Sequence, residues 1–218
     1  MYKVIEIFDS IEGEGRRSGL CATFIRLANC NLRCNWCDTP HAVAGTNFDK
    51  LSLADIINRV NTSFNRVTLT GGEPLLSKNI EPLITALSDK NIEVNIETNG
   101  SVDVAPFRKS PNVFFSIDYK LASSGVSQKM LWKNFTSLTR HDVVKFVVAS
   151  EHDLEQMQLV VMRLIRRYKL AKSPMPKLYA TTVSNLFSPS ALVEKVITTP
   201  LLKNVHVYTQ LHKVIGVR

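Results

Sequence analysis

Cysteine is scarce in this chain. Four cysteines in 218 residues cannot build the dense disulfide framework that staples small secreted domains. Long apolar runs are missing too. No stretch nears the roughly 20 residues needed to span a bilayer, and residues 1–6 lack the basic start and apolar stretch of a signal peptide. A cytoplasmic protein with no membrane partner is expected. There is no linker rich in Ser, Gly or Pro, no repeat and no break in composition, so residues 1–218 read as a single domain. Acidic residues are in the minority, 19 against 27 Lys and Arg, giving a net charge of +8. A basic chain raises the question of nucleic acid. The densest basic cluster is Arg163, Arg166, Arg167 and Lys169. It lies at the end of an amphipathic helical pattern, where cations suit the helix dipole, and it lacks the interleaved aromatics of single-strand binders. No nucleic-acid partner is expected.

Short β-rich runs alternate with helical patterns. Strands are expected over residues 22–27, 66–69, 94–97, 113–117, 143–148, 177–180 and 205–208. Residues 22–27 (Ala-Thr-Phe-Ile-Arg-Leu) are mostly apolar, as a buried parallel strand should be. Helical periodicity covers residues 80–87 and 153–168, where Leu154, Met157, Val161, Leu164 and Ile165 share a face. Ser52 has capping-box spacing to Asp55, and Ser188-Pro189 starts another helix. Such alternation implies an α/β fold with parallel strands and right-handed crossovers. Periodicity leaves an open sheet and a full or partial barrel equally available.

The unusual polar segments fall just after strands. Thr70-Gly71-Gly72-Glu73-Pro74, Thr98-Asn99-Gly100 and Asp118-Tyr119-Lys120 each follow one. In parallel α/β folds the C-terminal strand ends open on one ligand-binding face. Cys30 falls on the same rim, past the end of the first core strand.

Cys30, Cys34 and Cys37 lie within eight residues, close enough to wrap one inorganic ligand from a loop. Zinc would need a fourth ligand, which Cys21 or His41 would have to supply. A cubane iron–sulfur cluster held by three cysteines keeps one iron open to a small molecule, with Leu32 and Trp36 as shielding. Bland roles stand beside these. Cys21 suits a core position, and Arg26, inside an apolar strand, needs a partner such as Glu14 or Asp38. Asp118 and Lys120 can pair with each other.

The spacing C-x-x-x-C-x-x-C followed by Gly71-Gly72-Glu73-Pro74 resembles the radical S-adenosylmethionine superfamily. That resemblance implies a partial (β/α) barrel of about six parallel strands, a 4Fe-4S cluster on Cys30, Cys34 and Cys37, and S-adenosyl-L-methionine on the open iron. A finer resemblance runs through Ser10-Ile11-Glu12-Gly13-Glu14-Gly15, Phe24-Ile25-Arg26-Leu27, Cys37-Asp38-Thr39, Glu97-Thr98-Asn99-Gly100, Asp118-Tyr119-Lys120 and Gln210-Leu211-His212-Lys213. These segments are similar to the 7-carboxy-7-deazaguanine synthase family. The resemblance implies a lyase of queuosine and 7-deazapurine biosynthesis that acts on 6-carboxy-5,6,7,8-tetrahydropterin. It implies substrate contacts at Ile11, Glu12, Gly13, Glu14, Arg26, Thr70 and Gln210, the last with Thr209 beside it. Cofactor contacts are implied at Trp36, Cys37, Asp38, Gly72, Glu73, Asp118, Tyr119 and Lys120, and Mg2+ at Thr39. An electron donor such as flavodoxin or ferredoxin and a homodimer are implied as well. The family often carries Gln at Glu12 and Ser-Pro-Lys at residues 118–120. Two rival readings are a glycyl-radical activase and a zinc-stabilised nucleic-acid-binding module.

Overall fold

The computed structural model describes residues 1–44, 46–183 and 185–217. One nine-stranded sheet organises them, in the order β3-β1-β2-β4-β5-β6-β7-β8-β9. The strands are β1 (Tyr2–Ile11), β2 (Cys21–Leu27), β3 (Asp49–Leu51), β4 (Arg66–Gly71), β5 (Glu93–Thr98), β6 (Val113–Tyr119), β7 (Val143–Val148), β8 (Lys177–Thr182) and β9 (Val205–Val207). Seven of them, β2 and β4 to β9, run parallel, while β1 and β3 are antiparallel additions at one edge. The helices are α1 (Pro40–Ala44), α2 (Leu53–Asn58), α3 (Ile80–Ser88), α4 (Trp132–Phe135), α5 (Glu151–Leu170), α6 (Pro189–Thr198) and α7 (Leu211–Ile215). All seven strands expected from the sequence are present and form the parallel core, one more than the six or so that the family resemblance implies, while the antiparallel strands β1 and β3 were not anticipated.

Local chemistry sets the helix ends. Ser52 and Asp55 form a reciprocal capping box, the Ser52 hydroxyl accepting from the Asp55 amide at 3.1 Å. Ser150 caps α5 through the Asp153 amide. Pro189 opens α6 at a position that needs no amide donor.

The pleat sorts the sheet into two chemistries. Val67, Leu69, Val94, Ile96, Phe115, Ile117, Val144, Phe146, Leu178 and Ala180 are buried against the helical layer and form the core. Alternate positions face the opposite way and are polar: Thr68, Thr70, Asn95, Glu97, Ser116, Asp118, Lys145 and Thr181. Residues from every strand except β3 line one cavity at the C-terminal strand ends, so the sheet curls into a partial barrel around it. The chain after β1 closes the other end. Arg17 reaches into the barrel, and Arg16 pairs with Glu93 and lies over the Phe114 ring at 4.0 Å. No helix among the described residues is long and apolar enough to cross a membrane.

Candidate active site

The cavity holds about 1270 Å³, more than a single-ligand pocket requires. One wall is the loop after β2. Cys30, Cys34 and Cys37 are free thiols there, all partly exposed, with Leu32 buried beneath. The Leu32 amide and the Asn99 side-chain amide donate to Cys30 Sγ at 3.4 and 3.6 Å. Such N–H···S contacts tune iron–sulfur potentials. Burial pushes the Cys34 thiol up, against the pull of the nearby Lys120 ammonium.

Glycine is required where β4 ends. A Cβ on Gly72 would lie 2.1 Å from the Asn29 carbonyl oxygen and 3.0 Å from Cys30 Cβ. Gly71 has φ +130, and a Cβ there would strike the Leu27 backbone. The Gly-Gly turn thus lets the cysteine loop press onto the end of β4, with the Gly72 amide donating to Leu27 and the Glu73 amide to Asn29.

Three loop cysteines suit a cubane cluster that keeps one iron open; of the two residues that could complete a zinc site, His41 lines the same cavity and Cys21 does not. Cys21 lies at the opposite end of β2 from the cysteine loop, roughly 20 Å away for a seven-residue strand. It is also exposed, which corrects its expected core placement.

The lumen forms the second wall. Glu14 accepts from Lys145 Nζ at 2.8 Å, the Tyr208 hydroxyl at 3.1 Å and Gln210 Nε2 at 2.5 Å. Burial raises its pKa, but Lys145, Gln210 and Tyr208 more than offset this and hold the carboxyl at about 2. Glu97 accepts from Thr70 Oγ1 at 2.9 Å. Burial, with the charges of Glu14 and Glu12 added, pushes it to about 7 despite Lys145. Asp118 pairs with Lys120 at 2.7 Å. Burial works against its ionised form, but Lys120 and Lys145 hold its pKa below the usual range.

Most of the expected site residues meet in this cavity. Ile11, Glu12, Gly13, Glu14, Arg26, Trp36, Cys37, Asp38, Thr39, Thr70, Gly72, Asp118, Lys120, Thr209 and Gln210 all line it. Arg26 donates its Nε to Glu6 at 2.7 Å, so its partner is neither Glu14 nor Asp38. Glu12 touches the cavity, but its carboxylate is taken by Arg17 and Thr68. Two side chains depart from expectation. Glu73 is 1% exposed and accepts from Asn99 N, Leu75 N and Thr98 Oγ1, so it pins the β4 loop to the β5 loop instead of facing a ligand. Tyr119 points into the helical layer, against Phe135 and Phe146.

Lys145, Tyr208 and His212 were not singled out for the site from the sequence, yet they line the cavity. The C-terminal segment brings the last two in. Leu211 N donates to the Gly13 carbonyl at 3.0 Å, and a Cβ on Gly13 would collide with His212 Nδ1. The only sequence signal for Lys145 was a lysine stranded in an apolar run.

The Radical SAM superfamily model matches residues 24–131, which include the cysteine loop, the Gly-Gly turn and Asp118 to Lys120. A 7-carboxy-7-deazaguanine synthase of Clostridium acetobutylicum is 39% identical, covering 98% of this chain and 96% of its own length. One from Thermoplasma acidophilum is 31% identical over 97% of this chain and 96% of its own. Among solved structures, QueE from Escherichia coli superposes with a TM-score of 0.76 at 23% identity, covering 97% of this chain and 94% of its own. Streptococcus suis SuiB bound to S-adenosylmethionine shares the fold more loosely, with a TM-score of 0.53 at 14% identity, over 83% of this chain and 44% of its own. By motif, length and fold, the chain belongs to the 7-carboxy-7-deazaguanine synthase family of radical S-adenosylmethionine enzymes.

Proposed function

We propose that the chain converts 6-carboxy-5,6,7,8-tetrahydropterin to 7-carboxy-7-deazaguanine with loss of ammonia. One observation carries the reading: Arg26 and the three-cysteine loop face the same cavity. A guanidinium with its Nε already engaged by Glu6 keeps its two terminal nitrogens as a fork for a substrate carboxylate. Glu14, Glu97, Thr70 and Gln210 supply donors and acceptors for the edge of an amino-pterin.

Cys30, Cys34 and Cys37 would hold the 4Fe-4S cluster. Trp36, Asp38, Gly72, Asp118 and Lys120 would contact S-adenosylmethionine, with Tyr119 contributing backbone only. When bound, the reduced cluster and S-adenosylmethionine supply a hydrogen-abstracting radical; the protein orients the pterin and keeps water away. Thr39 lines the cavity near Cys37 and offers a hard oxygen for Mg2+, to which the substrate carboxylate would add a second. We further propose reduction by a flavodoxin or ferredoxin, assembly as a homodimer, and a cytoplasmic location where thiols stay reduced.

The test is anaerobic. Protein reconstituted with iron and sulfide receives reductant, magnesium, S-adenosylmethionine and the pterin, with Cys34→Ala as control. Appearance of 5′-deoxyadenosine and 7-carboxy-7-deazaguanine, absent in the control, supports the reading. Deoxyadenosine alone would remove the substrate assignment.

A further inference from the structure

Lys145 interrupts the run Val143-Val144-Lys145-Phe146-Val147-Val148 at the middle of β7. A lysine buried in a parallel strand loses hydration and must recover it from partners. It is 7% exposed, and its Nζ faces three carboxylates from three parts of the chain. Glu14 Oε2 lies at 2.8 Å, Asp118 Oδ1 at 3.5 Å and Glu97 Oε1 at 3.8 Å.

Each partner leads to a different side of the cavity. Glu14 continues to Tyr208 and Gln210, and Gln210 to Lys213 at 2.6 Å. Glu97 continues to Thr70. Asp118 continues to Lys120, beside the cysteine loop. On the functional reading above, on which this inference rests, the first two sets face the pterin and the third faces S-adenosylmethionine.

We propose that Lys145 is a positioning residue that ties the two ligand-facing sides together by holding Glu14 and Asp118 on one ammonium. Three carboxylates around one lumen repel each other strongly at low dielectric. The ammonium between them sets their spacing and so fixes the pterin groups relative to the cofactor groups. Without it the carboxylates would separate or take up protons, and both walls would lose their register.

The prediction is a cross effect, read as binding and not as turnover. Anaerobic calorimetry on cluster-loaded protein gives the Kd of the pterin and of S-adenosylmethionine separately. Lys145→Met should weaken both by about ten-fold or more, the scale of a lost charge-assisted hydrogen bond. Lys145→Arg, which keeps the charge, should recover part of each. Asp118→Asn should weaken pterin binding as well as S-adenosylmethionine binding, and Glu14→Gln should weaken S-adenosylmethionine binding as well as the pterin. If Lys145→Met fails to fold, these last two variants decide. Folded Lys145→Met with wild-type affinities, or partner variants whose effects stay on their own side, would overturn the proposal. Wild-type protein that binds S-adenosylmethionine but no pterin would overturn the functional reading itself, and this inference with it.

Discussion

Glu12 and Arg17 form a buried ion pair in the barrel, at 1% and 3% exposure, five residues apart in sequence. Arg17 also donates to the Val67 carbonyl at 3.2 Å, to Thr68 Oγ1 at 2.7 Å and to the Glu93 carbonyl at 3.1 Å. The pair fastens the segment after β1 to β4 and β5, and so supports Gly13 and Glu14 from below.

Removing one partner leaves a charge buried without compensation. Arg17→Met should therefore cost about 3–5 kcal/mol of folding stability. The double change Glu12→Gln with Arg17→Met should recover much of that loss. Denaturant midpoints of the wild type, both single variants and the double variant give the coupling directly. Additive effects would show that the two residues do not act as a pair.

Glu14 and Glu97 make stability depend on pH in opposite directions. Glu14 is held at about 2 against an ordinary 4.5. Its stabilisation is fully present above about 4.5 and is lost as pH falls towards 2, an effect of about 3 kcal/mol. Glu97 is raised from 4.5 to about 7. There the folded state binds the proton more tightly, so stability falls as pH rises from about 4.5 to about 7. Urea unfolding across pH should show Glu14→Gln flattening the acid limb and Glu97→Gln flattening the limb towards neutrality. A pH profile unchanged by either substitution would remove the assignment.

Gly72→Ala should block cluster assembly. The added methyl would meet the Asn29 carbonyl and Cys30 Cβ, both belonging to the cysteine loop. Backbone cannot yield as a flexible side chain can, so the loop would lift from β4. The overpacking should cost about 1–3 kcal/mol. Iron and sulfide content after reconstitution should drop well below wild type while the fold, by circular dichroism, persists. Full cluster content in the variant would show that the close approach is not needed.

The parallel core was readable because strands buried between helices and lumen carry near-continuous apolar runs, as residues 113–117 and 143–148 do, or alternate cleanly, as residues 94–97 do. The cysteine loop and the Gly-Gly turn were readable because their chemistry is local in sequence. β1 was not, since its residues are neither cleanly alternating nor continuously apolar: Tyr2 and Val4 are buried, but Ile5 to Phe8 are all half-buried at the sheet edge. Direction was also hidden. Glu73 sits in a ligand-binding motif, yet one donor from its own turn and two from the end of β5 turn its carboxylate inward. Lys145 meets Glu14 across 131 residues, a pairing that only the closed lumen creates.

Arg26→Lys tests the substrate wall with little disturbance elsewhere. Arg26 spends its Nε on Glu6 and lines the cavity with the rest of its guanidinium. A lysine has one ammonium, which can answer Glu6 or a ligand carboxylate but cannot present a planar fork to either. KM for the pterin should rise about ten-fold or more, while the Kd for S-adenosylmethionine stays within about two-fold of wild type. Glu6→Gln, which keeps an acceptor for Nε, should raise the same KM only a few-fold. The contrast separates a guanidinium that holds substrate from one that merely satisfies Glu6: in the second case both variants would leave KM untouched, and Arg26→Lys would be felt in stability alone.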